Sequence, residues 1–383
     1  MKILFLASSA DWHIDLWSRY FTISNKVYLF SDTENYLKDQ SYKGVKIFKS
    51  TGYLGALLNY IKSSSHLLYQ INKFLSIYLY AKEIRKLIVK NDIKIIHAHS
   101  LFYGYLASFI NSDIPIVFTP MGSDIIIKSQ ENYIYRKMAQ KAFAAADLVT
   151  GDSLLIQRKG FLVGAKRKNN IIIQNGVDSK IFYRKRNNLK EKYNIGKNEI
   201  LIFSPRAISP LYNIDIIIDS LNLLKLNNYN FKCMFSFAFG NEFSKKLRKK
   251  VLELNLKDNV IWLGYLDYKE MAKHYNASDI VISIPSSDSS PKSVYEAMFC
   301  KKPIIISNLD WSHEILPENN VVVRVEPRQS KQVFEAVKKL IENVDYRDKI
   351  SNNAFKLAHK YFDYEENMKV MEQHMKNLIL AKQ

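Results

Sequence analysis

The sequence contains only two cysteines, Cys233 and Cys300, in a chain of 383 residues. Two thiols are too few to form a disulfide framework in a protein of this length, and neither lies at the spacing of a metal ligand. The chain therefore lacks the composition of a disulfide-stapled secreted domain. Its cysteine content fits a reducing cytosol, and we predict no metal site.

Long apolar runs are absent as well. No stretch approaches the roughly eighteen apolar residues of a membrane-spanning helix, although 47% of the residues are hydrophobic. Residues 1–10 have some features of a secretory signal, but their apolar part is short and only one basic residue precedes it. We interpret them as a buried first strand, and we predict a cytoplasmic protein that is soluble or peripheral on the inner face of the cell membrane.

Acidic residues are few compared with basic ones. The chain has 37 Asp and Glu against 56 Lys and Arg, which gives a formal net charge of +19. A surplus of this size favours attraction to phosphate, nucleic acid or anionic lipid, but a general richness in Lys, Asn, Ile and Tyr explains it equally well. No recognition helix or aromatic sheet motif that reads bases is evident, so we predict no nucleic-acid partner.

Short β-branched and aromatic runs alternate with longer stretches of helical period, which is typical of βαβ units around a parallel sheet. We predict strands at residues 2–7, 26–31, 45–49, 94–98, 114–119, 148–152 and 171–174, and at 199–204, 232–237, 260–263, 280–284, 303–307 and 321–323. Between residues 175 and 197 a turn and a polar, basic stretch interrupt this pattern. The chain is also long enough for two domains of ordinary size.

The predicted fold class is therefore α/β, with two doubly wound, Rossmann-like domains facing a central cleft. The predicted boundaries are residues 1–178 for the N-terminal domain, 179–197 for a linker, and 198–360 for the C-terminal domain. Residues 361–383 are predicted to form a C-terminal helix that packs back on the N-terminal domain.

The segment of residues 54–93 has many leucines and isoleucines interspersed with lysines. Such a segment can form an interfacial amphipathic surface that faces anionic lipid. Ordinary helices that pack on a sheet and extend their lysines into water produce the same pattern. Both interpretations stay open at this point.

The stretch of residues 283–298 predicts a strand end, a short polar loop and a helix start, with Ser290 as N-cap and Pro291 at the first helical position. The N–H groups of Lys292, Ser293 and Val294, together with the helix dipole, predict an anion site, to which the Lys292 ammonium adds a contact. The two carboxylate oxygens of Glu296, a turn and a half further on, match a pair of ribose hydroxyls.

The same stretch resembles the retaining glycosyltransferases of family 4, whose signature is two glutamates separated by seven residues. Here Asp288 takes the place of the first glutamate and Glu296 that of the second, followed by Ala297-Met298. Further matches follow in order along the chain. They are the strand end His97-Ala98-His99, the loop Thr119 to Asp124, the turn Asn175-Gly176-Val177-Asp178, and Gly264-Tyr265-Leu266 after a strand.

This resemblance implies the GT-B fold and transfer of a sugar, with retention of configuration, from a nucleotide diphosphate sugar linked to UDP or GDP. It implies that the C-terminal domain binds the donor and the N-terminal domain the acceptor. Catalytic roles fall to Asp288, Arg206 and Glu296. Donor-binding roles fall to Arg206, Gly264, Tyr265, Leu266, Lys292, Ser293, Val294 and Glu296. We expect no cofactor and no metal requirement, because Arg206, Lys292 and the helix N-terminus can stabilise the leaving diphosphate.

The chain departs from the family pattern at three places. Met121 stands where members often have a histidine that contacts the sugar, and Leu211 stands where a lysine often helps to clamp the diphosphate. The first strand leads into residues 8–13, which lack the usual pair of glycines. Part of the donor clamp is therefore missing from the recognisable motifs.

Four residues are candidates for binding the acceptor: Trp12, His13, His99 and Asp124. Trp12 can stack on a sugar, whereas a packed aromatic and a capping histidine are equally good interpretations of Trp12 and His13. His99 can instead be a core histidine, and Asp124 can instead cap the helix that follows it.

The predicted function is transfer of a sugar to a growing glycan near an anionic membrane surface, with a polysaccharide, a lipopolysaccharide or a lipid-linked oligosaccharide as the acceptor. A GT-B nucleotide-sugar epimerase or phosphorylase is the alternative enzyme, and a basic nucleic-acid-binding protein is the alternative from another class. Only a transferase forms an acceptor-dependent glycoside, and only the third would show steeply salt-dependent affinity for RNA or DNA.

Overall fold

A computed structural model describes residues 1–32, 42–53, 66–237, 240–316 and 320–382 of the chain. The chain folds into two compact units. The first consists of Met1–Asn175 together with Glu365–Gln383, and the second of Gly176–Tyr364. Among the described residues, no helix combines the length and the apolar character that crossing a bilayer would require.

The first unit is built on a parallel sheet, which has seven strands within the described residues, in the order β3-β2-β1-β4-β5-β6-β7. Their bounds are β1 Lys2–Leu6, β2 Lys26–Ser31, β3 Val45–Lys49, β4 Ile95–His99, β5 Ile116–Thr119, β6 Leu148–Gly151 and β7 Asn170–Ile172. The central strands β1 and β4 are buried, with Leu4 opposite Ile96, because helices cover the faces of a parallel sheet. The strand order reverses between β1 and β4.

Helices connect these strands. They are Trp12–Phe21, His66–Leu75, Ile77–Asn91, Leu101–Ala107, Ser129–Glu131, Tyr133–Ala145 and Leu154–Leu162, with a π-helical turn at Asp124–Lys128. The last helix of the chain, Tyr364–Ala381, belongs to this unit from Glu365 onward. It is held there by a hydrogen bond of 2.9 Å from the Asn25 side-chain amide to Glu372 Oε1.

The second unit contains another parallel sheet, with six strands among the described residues, in the order β10-β9-β8-β11-β12-β13. Their bounds are β8 Ile200–Ser204, β9 Phe231–Phe235, β10 Val260–Trp262, β11 Ile280–Ser283, β12 Ile304–Ser307 and β13 Val323–Val325. The helices of this unit are Leu189–Lys192, Ile214–Leu226, Glu242–Glu253, Tyr268–Ala277, Lys292–Phe299, Asp310–Ile315, Ser330–Glu342 and Val344–Tyr361, with a 3-10 turn at Pro210–Tyr212. The strand order reverses between β8 and β11.

Each strand predicted from the sequence has a counterpart in the two sheets, and no bound differs by more than two residues. The thirteenth was predicted at residues 321–323 but lies at Val323–Val325. Val321 and Val322 are buried, which produced the apolar signal, yet the ladder with β12 begins only at the pair of Ile305 and Val323.

Residues 179–197, for which we predicted a linker, pack within the second unit. Phe182, Leu189 and Ile195 are buried in its hydrophobic core. The basic residues around them dominate the composition of this stretch, and the three apolar side chains are too widely spaced to give a periodic signal. The segment is therefore part of the second unit's structure.

Candidate functional site

The candidate site lies at the carboxyl ends of β8 and β11, which are adjacent in the second sheet. Arg206 follows β8 by two residues, and the loop of residues 284–291 follows β11 directly. Ligands of doubly wound sheets bind in the crevice where the strand order reverses, outside the carboxyl ends of the strands. The two segments that the sequence singled out therefore meet where this architecture provides a binding crevice.

Arg206 joins the two segments through its guanidinium group. Its Nη2 forms an ion pair with Asp288 Oδ2 at 2.9 Å, and its Nη1 donates to Ser293 Oγ at 3.1 Å. The guanidinium also lies over the ring of Tyr212, 4.2 Å from its centre. The side chains of Arg206 and Asp288 are only 14% and 16% exposed, so this pair is much less screened by water than a surface ion pair.

Glu296 is buried beside this pair, with 6% of its surface exposed. The hydroxyl of Tyr275 donates to Glu296 Oε2 at 3.0 Å and lies 3.1 Å from the Ser293 carbonyl oxygen. Burial raises the pKa of the Glu296 carboxyl, and this rise is opposed by the charge of Lys292, the hydrogen bond from Tyr275 and the charge of Arg206. The net result is a carboxyl group whose pKa lies above its ordinary value.

The helix that carries Glu296 begins one residue later than predicted. Pro291 occupies the N-cap position and Lys292 is the first helical residue, while Ser290 Oγ forms a hydrogen bond of 2.8 Å with the Tyr295 hydroxyl. A proline has no capping oxygen, and the ring fixes only φ, so it fits just before the first turn as well as within it.

The first turn of this helix supplies fewer N–H groups than predicted. The Val294 N–H donates to the Pro291 carbonyl at 2.9 Å, so only those of Lys292 and Ser293 precede the first hydrogen bond of the turn. The Lys292 ammonium lies over the ring of Tyr268, 4.6 Å from its centre.

Gly264, Tyr265 and Leu266 follow β10, at the same edge of the sheet, with β9 between β10 and β8. The Gly264 carbonyl accepts from the Phe237 N–H at 3.0 Å, and the rings of Tyr265 and Phe237 meet edge to face at 5.8 Å. Tyr265 is half exposed. The three residues lie on the side of Arg206 opposite to β11.

Asn213 and Tyr275 were not predicted from the sequence. The buried Asn213 side chain donates to the Ile284 carbonyl at 2.8 Å and to Ser286 Oγ at 2.9 Å, which ties the loop after β8 to the loop after β11. Its backbone is left-handed, with φ of 53°, a conformation that asparagine adopts more readily than most residues. In the sequence, Asn213 resembles an ordinary turn residue and Tyr275 an ordinary core residue.

The candidates in the first unit lie near the carboxyl ends of β1 and β4. Asp11 caps the helix Trp12–Phe21 by accepting from the His13 N–H at 2.9 Å, and its Oδ1 lies 2.8 Å from His13 Nδ1. Burial acts to raise the pKa of the Asp11 carboxyl, but the hydrogen bonds and charge of His13 outweigh it and lower the pKa. The cap is Asp11 rather than His13, and the side chain of Trp12 lies outside the described part of the chain.

His99 is enclosed in an aromatic cluster. Its ring centre lies 4.2 Å from that of His97, 5.1 Å from Trp17 and 5.7 Å from Phe5. Neither of its ring nitrogens has a hydrogen-bond partner among the described residues. Burial and the neighbouring His97 lower the pKa of His99 well below its ordinary value, against the opposing charge of Asp11.

Asp124 accepts a hydrogen bond of 3.0 Å from the Leu101 N–H. Leu101 is the first residue of the helix that follows β4, so Asp124 caps a helix that precedes it in the sequence rather than the one that follows. The cap reaches across the ends of β4 and β5, which no local pattern indicates. Within the described residue ranges, no three His, Cys, Asp or Glu side chains are grouped so that they could hold a metal ion.

Both parts of the chain match known families. Residues 2–153 match the family described as glycosyl transferase 4-like, and residues 185–357 match glycosyl transferases group 1. Together, the two matches support a glycosyltransferase over both parts of the chain. The glycosyltransferase is also similar to an uncharacterized glycosyltransferase of Methanocaldococcus jannaschii, with 24% identity over 286 residues that cover 73% of this chain and 75% of the relative. An alpha-D-kanosaminyltransferase of Streptomyces kanamyceticus is 19% identical over 178 residues, or 46% of this chain and 45% of the relative.

Solved structures share the fold of this glycosyltransferase. Sucrose-phosphate synthase of Thermosynechococcus elongatus superposes with a TM-score of 0.81 at 14% identity, over 100% of both chains. Anabaena HepE, solved in complex with UDP and glucose, superposes with a TM-score of 0.78 at 17% identity, over 98% of this chain and 99% of HepE. The prediction of a GT-B fold with two Rossmann-like domains is confirmed.

Proposed function

We propose that this glycosyltransferase transfers a sugar from a nucleotide diphosphate sugar to a hydroxyl of a growing glycan, with retention of the anomeric configuration. The observation that carries the proposal is the contact of Arg206 with both Asp288 and Ser293, next to the buried Glu296. Two segments that are distant in the sequence thus converge on one crevice with a cation, a helix N-terminus and a carboxylate.

The donor would be bound by groups of the second unit. Glu296 accepts hydrogen bonds from the two ribose hydroxyls, and Arg206 donates two parallel hydrogen bonds to the diphosphate. The Lys292 ammonium and the first N–H groups of its helix add positive charge next to the diphosphate. Gly264, Tyr265 and Leu266 would contact the base. The complex of HepE with UDP and glucose favours a UDP-linked donor over a GDP-linked one.

In the reaction, the bond between the anomeric carbon and the diphosphate oxygen breaks, and the acceptor oxygen forms its bond on the same face. The proton of the acceptor hydroxyl passes to the leaving diphosphate oxygen. Arg206 and the helix N-terminus stabilise the charge that develops on that oxygen. Asp288, which is held by Arg206, would lie beside the sugar ring, and we propose that it orients the ring rather than attacks it.

We propose that no divalent cation takes part in the transfer. The positive groups of Arg206 and Lys292 would neutralise the diphosphate in place of a metal. Turnover that is unchanged by a chelator supports this, and a strict dependence on manganese would contradict it.

The acceptor is proposed to be a glycan on a lipid carrier at an anionic membrane surface. The apolar side chains of Ile71, Leu75 and Tyr78 are between 42% and 69% exposed in the first unit, which suits contact with lipid. Lys73 does not contribute charge to such a surface, because it pairs with the buried Asp32 at 3.0 Å. The remainder of the segment, residues 54–65, lies outside the described residues. Vesicles of anionic lipid that fail to bind the chain would contradict this part of the proposal.

The test begins with a screen of nucleotide sugars for thermal stabilisation, since a ligand that binds only the folded state raises its melting temperature. With the donor found, we expect Arg206→Ala and Glu296→Ala each to lower turnover about a hundredfold or more. Arg248→Ala and Glu335→Ala, which alter exposed helical residues of the same unit, serve as matched controls. Wild-type turnover in both site variants would refute the proposal.

Analysis of the product tests the reaction class and the stereochemistry. A glycoside that forms only when an acceptor is present, with the anomeric configuration of the donor, is the expected result. An isomerised sugar without an acceptor would identify an epimerase, and formation of a sugar phosphate from inorganic phosphate would identify a phosphorylase.

A further inference from the structure

A second basic pocket lies in the second unit, away from Arg206. It has a volume of about 490 Å³ and is formed by residues 180–192 on one side and by the helix Tyr268–Ala277 on the other. Hydrogen bonds hold the two walls together: the Lys185 N–H donates to Asn276 Oδ1 at 2.8 Å, and Asn276 Nδ2 donates to the Tyr183 carbonyl at 2.8 Å. The Asn187 side chain donates to the Lys273 carbonyl, also at 2.8 Å. The pocket is therefore a fixed feature of this unit.

The charge that lines this pocket is almost entirely positive. The basic lining residues are Lys180, Lys185, Arg186, Lys192, Lys269 and Lys273. The acidic lining residue, Glu270, is paired with Lys273 at 2.5 Å. No described residue forms an ion pair with Lys185, Arg186, Lys192 or Lys269. Repulsion among like charges opposes folding, and concave walls of one sign concentrate the electrostatic potential, so the arrangement favours an anion in the pocket.

The chemistry of the pocket suits phosphate. Arg186 provides a planar fork of donors, the lysines provide ammonium groups, and Asn187 and Asn188 add neutral amides. Ile181 and Leu189 also line the pocket and would contact an apolar or sugar part attached to the phosphate.

The pocket is distinct from the candidate donor site but close to it. Phe182, between two pocket-lining residues, packs against Tyr268 and Tyr275 with ring centres 6.3 and 6.0 Å apart. The hydroxyl of Tyr275 is bonded to Glu296. One layer of aromatic side chains thus separates the floor of the pocket from the donor carboxylate, so one ligand does not fill both.

We propose that this pocket is a second phosphate-binding site, which binds a phosphate ester that is not the nucleotide donor. The phosphate can belong to an anionic lipid headgroup or to a soluble phosphate compound. The site does not depend on the proposed sugar transfer, because none of its lining residues contacts Arg206, Asp288 or Glu296 through a described hydrogen bond or ion pair.

The experiment uses the full chain with saturating UDP, so that the donor site is occupied. Binding is measured by sedimentation with phosphatidylcholine vesicles, with and without phosphatidylglycerol, and by calorimetric titration with inorganic pyrophosphate. The pocket variant combines Lys185→Ala, Arg186→Ala and Lys192→Ala. The control variant removes the same charge from an exposed helix of the same unit through Lys245→Ala, Lys246→Ala and Lys249→Ala.

We expect the pocket variant to bind about tenfold or more weakly than the control variant, because each basic side chain near an anionic phosphate adds to the affinity. A loss for both probes supports a site for soluble phosphates, and a loss for the vesicles alone supports a site for lipid headgroups. Three results would overturn the proposal. They are equal losses of binding in the pocket and control variants, binding by the wild type that needs no phosphate, and tighter binding of single-stranded RNA than of either probe.

Melting temperatures and affinities for UDP are recorded for both variants. A folded pocket variant keeps its affinity for UDP, because the donor groups are untouched. This readout separates failure of the second site from failure of the proposed transfer, which is measured independently through Arg206 and Glu296.

Discussion

Tyr275 donates its hydroxyl hydrogen to Glu296 Oε2 across 3.0 Å, and both side chains are buried. The hydrogen bond favours the ionised form of a carboxyl group whose pKa burial raises. If ionised Glu296 binds the ribose, nucleotide affinity falls as the pH drops through this raised pKa. Tyr275→Phe removes the hydrogen bond, so we expect the midpoint of that fall to move to higher pH and the affinity at neutral pH to weaken about tenfold.

Calorimetric titration with the donor nucleotide over a range of pH measures this effect. Tyr193→Phe is the matched control, because the Tyr193 hydroxyl lies 3.4 Å from His274 Nε2 and does not contact Glu296. An unchanged midpoint in Tyr275→Phe would show that the hydrogen bond does not set the ionisation of Glu296.

Asn213 is predicted to position the loop that carries Asp288. Its side chain donates to both Ile284 and Ser286, and a buried carbonyl that loses its donor costs about 1–3 kcal/mol. We therefore expect Asn213→Ala to lower the free energy of unfolding by about that amount and to weaken the affinity for the nucleotide as well. Denaturant unfolding and calorimetry measure the two effects.

Asn259→Ala provides the comparison for Asn213→Ala. The Asn259 side chain donates to the Phe231 carbonyl at 3.0 Å at the far end of its strand, so its loss should lower stability and leave the nucleotide affinity unchanged. Equal nucleotide affinity in the wild type and Asn213→Ala would mean that Asn213 supports the fold alone.

The parallel sheets could be predicted because their strands are marked locally. A strand of such a sheet is a short run of β-branched and aromatic residues, as in the largely buried β2 and the edge strand β3, whose predicted bounds are those observed. The predicted strand bounds differ from the observed ones where residues are buried but lie outside the hydrogen-bonded ladder, as Val321 and Val322 do. The linker prediction failed for a related reason, because Phe182 and Leu189 are buried without forming a periodic pattern.

The candidate site could be predicted only in part. Asp288, Ser293 and Glu296 lie on one loop and helix, so their proximity follows from sequence spacing. Tyr275 and Asn213 approach from other elements, and a buried tyrosine on a helix or an asparagine in a turn has an ordinary structural role in most proteins. Their contribution depends on tertiary contacts that spacing does not encode.

The paired histidines of the first unit predict a loss of stability in mildly acidic solution. Burial lowers the pKa of His97 to about 3 and that of His99 well below its ordinary value, from a reference of 6.5 in the unfolded chain. Both histidines take up protons more readily in the unfolded state. The stability that their neutral forms contribute is therefore present above about pH 6.5 and is lost as the pH falls toward their pKa values in the folded state.

His99→Phe keeps an aromatic ring in the cluster and removes two nitrogens without partners among the described residues. We expect it to narrow the difference in melting temperature between pH 8 and pH 5. The exposed His313 offers the control His313→Phe, which should leave that difference as it is in the wild type. If the difference in melting temperature between pH 8 and pH 5 is as large in His99→Phe as in the wild type, the acid sensitivity does not arise from this cluster.

The turn Asn175-Gly176-Val177-Asp178 requires a glycine because the backbone of Tyr364 lies very close to Gly176. Gly176 has a φ of 68°, and a Cβ at this position would lie 2.6 Å from the Cα of Tyr364. The approach is fixed on both sides, because Val177 exchanges backbone hydrogen bonds with Phe362 and Tyr364 at 2.8 and 3.1 Å. We expect Gly176→Ala to lower the free energy of unfolding by at least about 2 kcal/mol, through left-handed strain and displacement of this bridge.

Gly196→Ala is the matched control for Gly176→Ala. Its added Cβ would meet only the Glu199 Cβ at 3.8 Å, an ordinary contact, and its backbone does not have a positive φ. Replacing the glycine there restricts the unfolded chain without straining the folded one. We therefore expect Gly196→Ala to raise the free energy of unfolding by no more than about 1 kcal/mol. Denaturant unfolding compares the two variants. Similar small effects in both variants would show that the segment around Tyr364 can move aside, and that the hydrogen bonds of Val177 with Phe362 and Tyr364 do not constrain residue 176.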